Sequence, residues 1–540
     1  LKKQWNIINK CPSSENMIEN ILTARGILDI KHFLNPIPSD LIPIDKLINM
    51  DKSVEIITEG IKDNKRFTIF YDAADVDGIA SGTIMRKYLA NFTDKVEYVF
   101  GLGKKHGLKC IDLDKVIEIT DILIIVDSST GDHEQQNYLQ SNGVTVIIYD
   151  HHPEPINPNV CTVSSQYLYP NSQLSGSGVT WKACLALDNA LGTNYALDYI
   201  DLAAIGILAD VSSIGEKYME NRLLVSLGMK NLKNTAIKII LGSYDFNSQS
   251  VLFSIAPLIN SSARLSKNQL VIDFMMEDDK KKAKKLYNQL VEIKEEQKIL
   301  VDIATKSLTE QIEKQDYVNN KVVYGFVNVG ELTGLIGSKL CEAYGKPAII
   351  LKTPIVGASK LTGSIRAVGI DNFKSLINNS GLGKAYGHES AAGVFIQVDS
   401  LQPLLEKLNE VLKDVEFKTE EDIDIQLEPE EITTELIKQM EKVNRLTGKD
   451  FKPITVYIEG VEPQNVSNMK AGQHTKFDAE DLECIKWNSQ LHEDLKYTKG
   501  IYNRMDIFGT LTLGNFRGVK TKQVIIQDTR NLEQNLEFFR

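Results

Sequence analysis

The stretch Phe67-Thr68-Ile69-Phe70-Tyr71-Asp72-Ala73-Ala74-Asp75-Val76-Asp77-Gly78 joins an aromatic and β-branched run to an acidic turn, and Gly78 opens a helical stretch. A short apolar run of this composition reads as a buried strand. Further runs of the same kind follow at Val96–Phe100, Ile122–Val126 and Val144–Tyr149, separated by helical stretches near 79–91, 112–118 and 134–141. Buried strands alternating with helices predict a parallel, doubly wound α/β sheet. Ligands of such sheets bind beyond the carboxyl ends of the strands. The residues there are Asp75 and Asp77 after the first run, Asp127 after the third, and Asp150-His151-His152 after the fourth.

These acids and imidazoles converge on one rim in the predicted fold. Asp127 alone reads more readily as a turn or helix-capping residue than as a ligand. Asp210 is harder to explain that way, because it lies in the apolar helical stretch Gly206–Val211 and a buried carboxylate needs a partner or a metal. Oxygen ligands mixed with imidazole suit Mn2+, or Mg2+. Two such ions, about 3.5–4 Å apart, activate water and stabilise a leaving oxygen at a phosphodiester. The other histidines, His32, His106, His133, His474 and His492, read as surface or structural.

The 540 residues are too many for one core and predict several domains. Residues 1–55 form an N-terminal lead-in interrupted by Pro36, Pro38 and Pro43, and 56–270 form the α/β domain with the acidic rim. Within 271–317, apolar residues from Ala283 to Ile312 recur at spacings of three, four or seven, which predicts one long amphipathic connecting helix over 280–314. Residues 318–415 form a smaller α/β domain, with strands at Val322–Val327, Ala348–Leu351 and Val394–Val398 and a helix over 333–344. Short strands in 416–540 suit an OB-like β-barrel, entered through an acidic boundary at 415–431.

A net charge of −11 is not the bulk signature of a nucleic-acid binder, although local grooves can still be basic. Residues 495–540 lean basic, and from charge alone they read as a solvated face. Six scattered cysteines without a CxxC pair fit a reducing cytoplasm, and neither a membrane span nor a signal-type N-terminus is expected. Leu1 in place of Met points to a trimmed chain.

Taken together, these motifs resemble the RecJ branch of the DHH phosphoesterase family nearly end to end. Ala24–Ile27 and Phe33–Pro36 resemble the family's lead-in, and Asp75–Gly78, Val126-Asp127, Asp150–His152 and Asp210 match its four phosphoesterase motifs in order. Ser175–Gly178 resembles the glycine-rich turn that follows, and Ala256–Asn260 with Arg264 matches a segment specific to RecJ. Gly363–Arg366 and Gly387–Gly393 resemble the DHH-associated domain, with Tyr386 where family members often carry glycine.

The resemblance implies a metal-dependent 5′-to-3′ exonuclease that hydrolyses single-stranded DNA to 5′-mononucleotides in recombination and repair. Metal ligands carry over to Asp75, Asp77, Asp127, His151 and Asp210. Asp77, Asp127, Asp150 and His152 carry over as catalytic residues, with Asp150 orienting the histidines and His152 contacting the scissile phosphate. DNA contacts carry over to Asn260, Arg264, Ser364, Arg366, Gly387 and His388. Basic residues of the terminal domain would grip the strand, with Tyr497, Tyr502, Phe508 or Phe516 as stacking candidates that also suit a barrel core. Single-strand-binding or other repair or defence proteins are the implied partners.

The chain departs from the family at one position. The first motif of the family is Asp-x-Asp-x-Asp-Gly, and here its first acid is Ala73, with Asp72 expected to point to the opposite side. Three readings are open: a deliberate Asp→Ala replacement, natural drift that weakens one metal, or a DHH-family member turned into a non-catalytic single-strand binder or scaffold. The intact remaining motifs favour the first reading, and all three predict impaired catalysis. DHH enzymes acting on pyrophosphate, short oligonucleotides or cyclic dinucleotides usually lack the lead-in, the Asn260–Arg264 segment and the terminal barrel.

Overall fold

The computed structural model describes residues 2–9, 16–314, 319–469, 474–489, 491, 497–498, 501–502, 504–516 and 519–531. The chain opens with strand β1 (Lys2–Asn9). Next come β2 (Phe67–Tyr71), β3 (Val96–Phe100), β4 (Ile122–Val126), β5 (Thr145–Asp150) and β6 (Cys161–Ser164). These five form a wholly parallel sheet in the order β3-β2-β4-β5-β6. Strands β2 and β4 are buried along their whole length, as strands covered on both faces must be. The order reverses between β2 and β4, and beyond the carboxyl ends at that switch point a doubly wound sheet leaves a crevice. The acidic turn at 72–77 leaves β2 there, and Asp127 leaves β4 beside it.

The helix Lys280–Lys314 has the predicted extent. At about 1.5 Å per residue it spans roughly 50 Å. Its Ala283 and Leu290 pack into the core of the first sheet, while Val301, Leu308 and Ile312 pack into the second domain. There, β7 (Val323–Val327), β8 (Ala348–Lys352), β9 (Lys360–Arg366), β10 (Gly383–Gly387) and β11 (Ala391–Gln397) form a mixed sheet in the order β10-β11-β9-β8-β7. The helix Thr333–Tyr344 packs Ile336 and Leu340 on Ile350 of β8, and helices Phe373–Ser380 and Leu401–Leu412 cover the other face.

The C-terminal sheet combines β12 (Lys418–Gln426), β13 (Val456–Val461), β14 (Gln464–Met469), β15 (His474–Ala479) and β16 (Leu482–Lys486) with two long strands. A small hairpin, β17 (Tyr497–Thr498) and β18 (Ile501–Tyr502), precedes those strands, β19 (Met505–Phe516) and β20 (Val519–Asn531). The order is β1-β12-β13-β19-β20-β16-β15-β14, with antiparallel pairing at β13–β19 and β19–β20. Two placements differ from the sequence reading. The lead-in strand β1 pairs in parallel with β12, so the N-terminus is an edge of the C-terminal sheet. The acidic stretch expected as a boundary contains β12 itself.

Buried cations lock these parts together. Arg25 forks onto Asp424 with two 2.7 Å bonds. Arg222 donates to the carbonyl oxygens of Phe33, Ile214 and Leu446, and its guanidinium lies 3.7 Å from the centre of the Phe33 ring. Lys182 meets Glu220 at 2.6 Å with both side chains sealed from solvent. A buried pair broken from one side leaves an uncompensated charge. Lys182→Met is therefore expected to cost about 3–5 kcal/mol of stability, read as a lowered thermal midpoint.

Candidate metal centre and phosphate cleft

The rim is built by helix starts. Asp75 caps the helix Val76–Leu89, its Oδ1 accepting from the backbone N–H groups of Asp77 and Gly78. Asp77, in the first turn, points to the start of a second helix, Gly176–Leu191. Its carboxylate accepts from Ser175 Oγ at 3.0 Å, Gly176 N at 2.7 Å and Ser177 N at 3.1 Å. An acid at a helix N-terminus gains from the exposed amides and the helix dipole. Two glycines permit this approach. A Cβ on Gly176 would lie 2.3 Å from Asp127 Oδ1, and one on Gly206 would lie 2.1 Å from Asp77 Oδ1.

His151 sits at the middle of the acids. Its Nε2 is 3.2 Å from Asp127 Oδ1 and 3.9 Å from Asp77 Oδ2, and its Nδ1 is 3.8 Å from Asp210 Oδ2. Two overlapping groups are close enough to hold a metal ion: Asp127, His151 and His152, and Asp77, His151 and Asp210. Asp75 joins neither group; its carboxylate serves the helix cap. Asp150 accepts from His152 Nδ1 at 2.7 Å, from Thr130 Oγ1 at 2.6 Å and from the backbone of His151 at 2.7 Å. It therefore fixes the ring of His152 and the backbone of His151.

The electrostatics are those of acids waiting for a cation. Asp127 is buried in the left-handed region at φ 62°, and its Oδ1 makes no hydrogen bond despite the nearby His151. Strained backbone of this kind clusters at functional sites. Burial, reinforced by Asp77, Asp75, Asp150 and Asp210, pushes its pKa well above the usual carboxylate range. Desolvation by the surrounding protein raises Asp210 to about 6, against the pull of His151, although its side chain, expected to be buried, is exposed at the end of the helix Ile200–Ala209. Burial alone would lower His152, but the Asp150 carboxylate, helped by Asp210 and Asp72, overrides it and raises that pKa to about 9.

Asp72, beside the altered position, has a partner of its own. It is buried and pairs with His106 Nδ1 at 3.1 Å, and this partner raises the His106 pKa against the effect of burial. His106, a surface or structural residue by sequence, therefore stands beside the rim. Asn268 escapes sequence reading altogether: its amide ties the Ala73 carbonyl at 2.7 Å to both backbone groups of Gly103. The signal for His106 lies in Gly103-Lys104-Lys105-His106-Gly107, a basic loop after β3 with a positive-φ glycine at each end.

A cleft of about 250 Å3 lies where the two α/β domains face each other, lined by Lys104 and Arg264 on one side and by Ser364, Arg366 and the paired Lys352 and Glu331 (2.8 Å) on the other. Burial lowers the pKa values of Lys104 and Arg264; Arg264 adds to the shift of Lys104, and Arg366 adds to both. Crowded cations of this kind call for an anion, and arginine forks match phosphate oxygens. Thr333 Oγ1 and Ser364 Oγ, 2.8 Å apart, add hydroxyls. Of the expected DNA contacts, Arg264, Ser364 and Arg366 meet here, while Asn260, Gly387 and His388 do not line this cleft. Asn260 Oδ1 is buried without a partner, and His388 is exposed.

The C-terminal candidates fare differently. Phe508 packs against Trp5 and Tyr457 as core, so a stacking role for it is corrected. Side chains of Tyr497, Tyr502 and Phe516 lie outside the described residues, as do Lys496, Lys499 and Arg517. Arg504 pairs with Glu462, Lys522 with Asp481, and Arg530 lies over Trp5.

A parallel sheet with acids and imidazoles at its switch point, facing a cationic cleft, defines a DHH-type α/β protein with groups able to hold metal. Comparisons with known proteins agree. The DHH family, N-terminal domain, matches residues 66–207, and the RecJ OB domain matches residues 423–528. A protein of the SPbeta prophage of Bacillus subtilis, named as a single-strand DNA-specific exonuclease, is 28% identical over 97% of this chain and 98% of its own length. The RecJ single-stranded-DNA-specific exonuclease of Bacillus subtilis is 26% identical over 96% of this chain and 68% of its own. Among solved structures, RecJ of Thermus thermophilus in complex with Mn2+ superposes with a TM-score of 0.78 at 21% identity, covering 98% of this chain and 80% of that one. These matches support a RecJ-like protein of the DHH family. Among the described residues, no helix is long and apolar enough to cross a membrane.

Proposed function

We propose that the protein is a metal-dependent exonuclease that degrades single-stranded DNA from its 5′ end to 5′-mononucleotides, and that Ala73 impairs this chain's catalysis. The observation that carries the reading is the buried, unbonded Asp127 Oδ1 beside His151, amid acids whose charges raise its pKa. That donor set fits hard divalent cations such as Mn2+ or Mg2+, and the relatives named for single-strand cleavage and the Mn2+ complex of the Thermus protein point the same way. Asp127, His151, Asp77 and Asp210 would hold two ions, with Asp75 completing the set from its capping position and Asp150 orienting His152. The ions would supply an activated water and charge stabilisation for the phosphoryl oxygens.

The chain's own groups do the rest. Lys104, Arg264, Ser364 and Arg366 bind the terminal phosphate in the cleft between the domains and so place the first internucleotide linkage at the acidic rim. His152, held charged by Asp150, donates a hydrogen bond to the scissile phosphate. Asp77 keeps its place through the Ser175–Ser177 turn.

The test is a substrate panel of long single strands with and without a 5′-phosphate, dinucleotides and pyrophosphate, assayed with Mn2+. Preference for the 5′-phosphorylated long strand supports the reading, and preference for pyrophosphate or dinucleotides contradicts it. Arg366→Ala is expected to weaken binding of the phosphorylated strand by about tenfold or more, as loss of a charged hydrogen bond of about 1.5–3 kcal/mol requires, while barely changing the strand without the phosphate.

A second reading rests on Ala73 itself. A non-catalytic single-strand binder, or a scaffold for repair or defence proteins, would keep the cleft and tolerate the missing acid. Tight strand binding with no turnover after Ala73→Asp supports this alternative.

A further inference from the structure

The second-domain sheet carries one half-bare face. Side chains alternate along a strand, and residues paired across strands share a face. The registers Tyr386↔Gly393↔Ser364 and Lys384↔Phe395↔Thr362 therefore put these residues on one side, with Arg366 further along β9. Ile350 of β8 shares that side through its pairing with Ser364, and there the helix Thr333–Tyr344 covers it. Among the described residues no helix packs over β11 and β10 on this side: Tyr386 is 61% exposed and Phe395 49%. Their rings meet edge to face with centroids 5.8 Å apart. Gly393, beside Tyr386, has no neighbour nearer than 3.9 Å to an added Cβ, so the floor next to the rings is open.

This pair borders a groove of about 700 Å3 that contains the exposed Lys360 and Lys384 and no carboxylate. Phe395 also lines the phosphate cleft, so the two are continuous through one ring. Flat apolar surface bounded by unopposed cations and reached from a phosphate site matches a nucleotide, with its π-face and its anionic backbone.

We propose that Tyr386 and Phe395 form a base-stacking platform for the nucleotide whose phosphate occupies the Lys104–Arg264–Arg366 cleft, with Lys360 and Lys384 attracting the strand. The platform rests on the proposed function of that cleft, but its own signature is dependence on a base. A stacked base contributes little sequence preference, because every base has a π-face. The platform therefore serves an enzyme or binder that takes any end.

The test uses the full chain in EDTA, which prevents digestion, and fluorescence anisotropy with two 5′-phosphorylated oligothymidylates. One is intact, and the other carries abasic tetrahydrofuran residues at its first two positions. Tyr386→Ala and Phe395→Ala are each expected to weaken the intact strand about tenfold and to leave the abasic-ended strand unchanged. Tyr386→Phe is expected to bind as the parent does. Both positions are exposed, and an unchanged thermal midpoint verifies folding. Equal weakening of both strands overturns the platform, as does no weakening of either; the latter leaves the surface to a protein partner. Arg366→Ala separates this from failure of the cleft. It is expected to weaken both phosphorylated strands. If it weakens neither while the aromatic variants still discriminate, the cleft reading fails and the platform stands.

Discussion

Ala73→Asp is expected to raise manganese-dependent degradation of 5′-phosphorylated single strands by about a hundredfold or more. That size follows from the lost interaction: a metal ion stabilises the transition state by several kcal/mol, and each 1.4 kcal/mol is about tenfold in rate. Position 73 lies between Asp72 and Asp75 at the end of β2, and its carbonyl is pinned by Asn268, so the backbone already has a fixed place at the rim. The side chain there is buried, and a carboxylate at that depth is tolerable only when a cation meets it. Without metal, Ala73→Asp should therefore lower the thermal midpoint, and Mn2+ should restore it. Equal, substantial digestion by both proteins would show that position 73 does not limit catalysis.

The second large effect concerns Asp127. Asp127→Asn is expected to stabilise the metal-free protein and to abolish most of the stabilisation by Mn2+. In the parent, an ion at a hundred times its Kd should add about 2.7 kcal/mol. The sign follows from linkage. An acid whose folded pKa is raised favours folding while protonated, and that contribution is lost as pH rises through the folded value. Asp210, raised to about 6, makes the window concrete: relative to Asp210→Asn, the metal-free parent should lose stability between about pH 4 and pH 6. Differential scanning calorimetry with and without Mn2+ reads both effects. A metal shift that survives Asp127→Asn would remove that residue from the site.

Strong local signals made much of this molecule legible. The apolar period fixed the helix Lys280–Lys314, and the buried runs fixed β2, β4 and β5, because a fully covered parallel strand admits few polar residues, whereas β3, read as the same kind of run, is a half-buried edge strand. The lead-in motif was visible as a pattern, and the structure supplies its cause: Arg25 forks onto Asp424, and Phe33 stacks on Arg222. Strands β1 and β12 were not legible. Both are polar, with only Trp5 and Ile7 or Ile423 and Ile425 facing the sheet, and they pair across more than four hundred residues.

At the site, the acids and histidines could be read from strand ends, whereas their supports could not. Asn268 reaches the rim from a helix start and His106 from a loop, and no local pattern tells an amide which carbonyl it will hold. Lys104 sat in plain view between two glycines, but only the docking of the second domain sets it opposite Arg366. The platform residues Tyr386 and Phe395 lie on strands whose alternation is regular, yet exposure depends on how far the helix Thr333–Tyr344 reaches across the sheet.

The most direct measurement is a crystal structure of the protein with Mn2+ and a short 5′-phosphorylated oligonucleotide. Anomalous peaks ligated by Asp127 and His151 are expected at the rim, with the 5′-phosphate between Arg264 and Arg366. Manganese absent from Asp127 and His151, or a strand entering the cleft by its 3′ end, would contradict the metal-dependent, 5′-end reading.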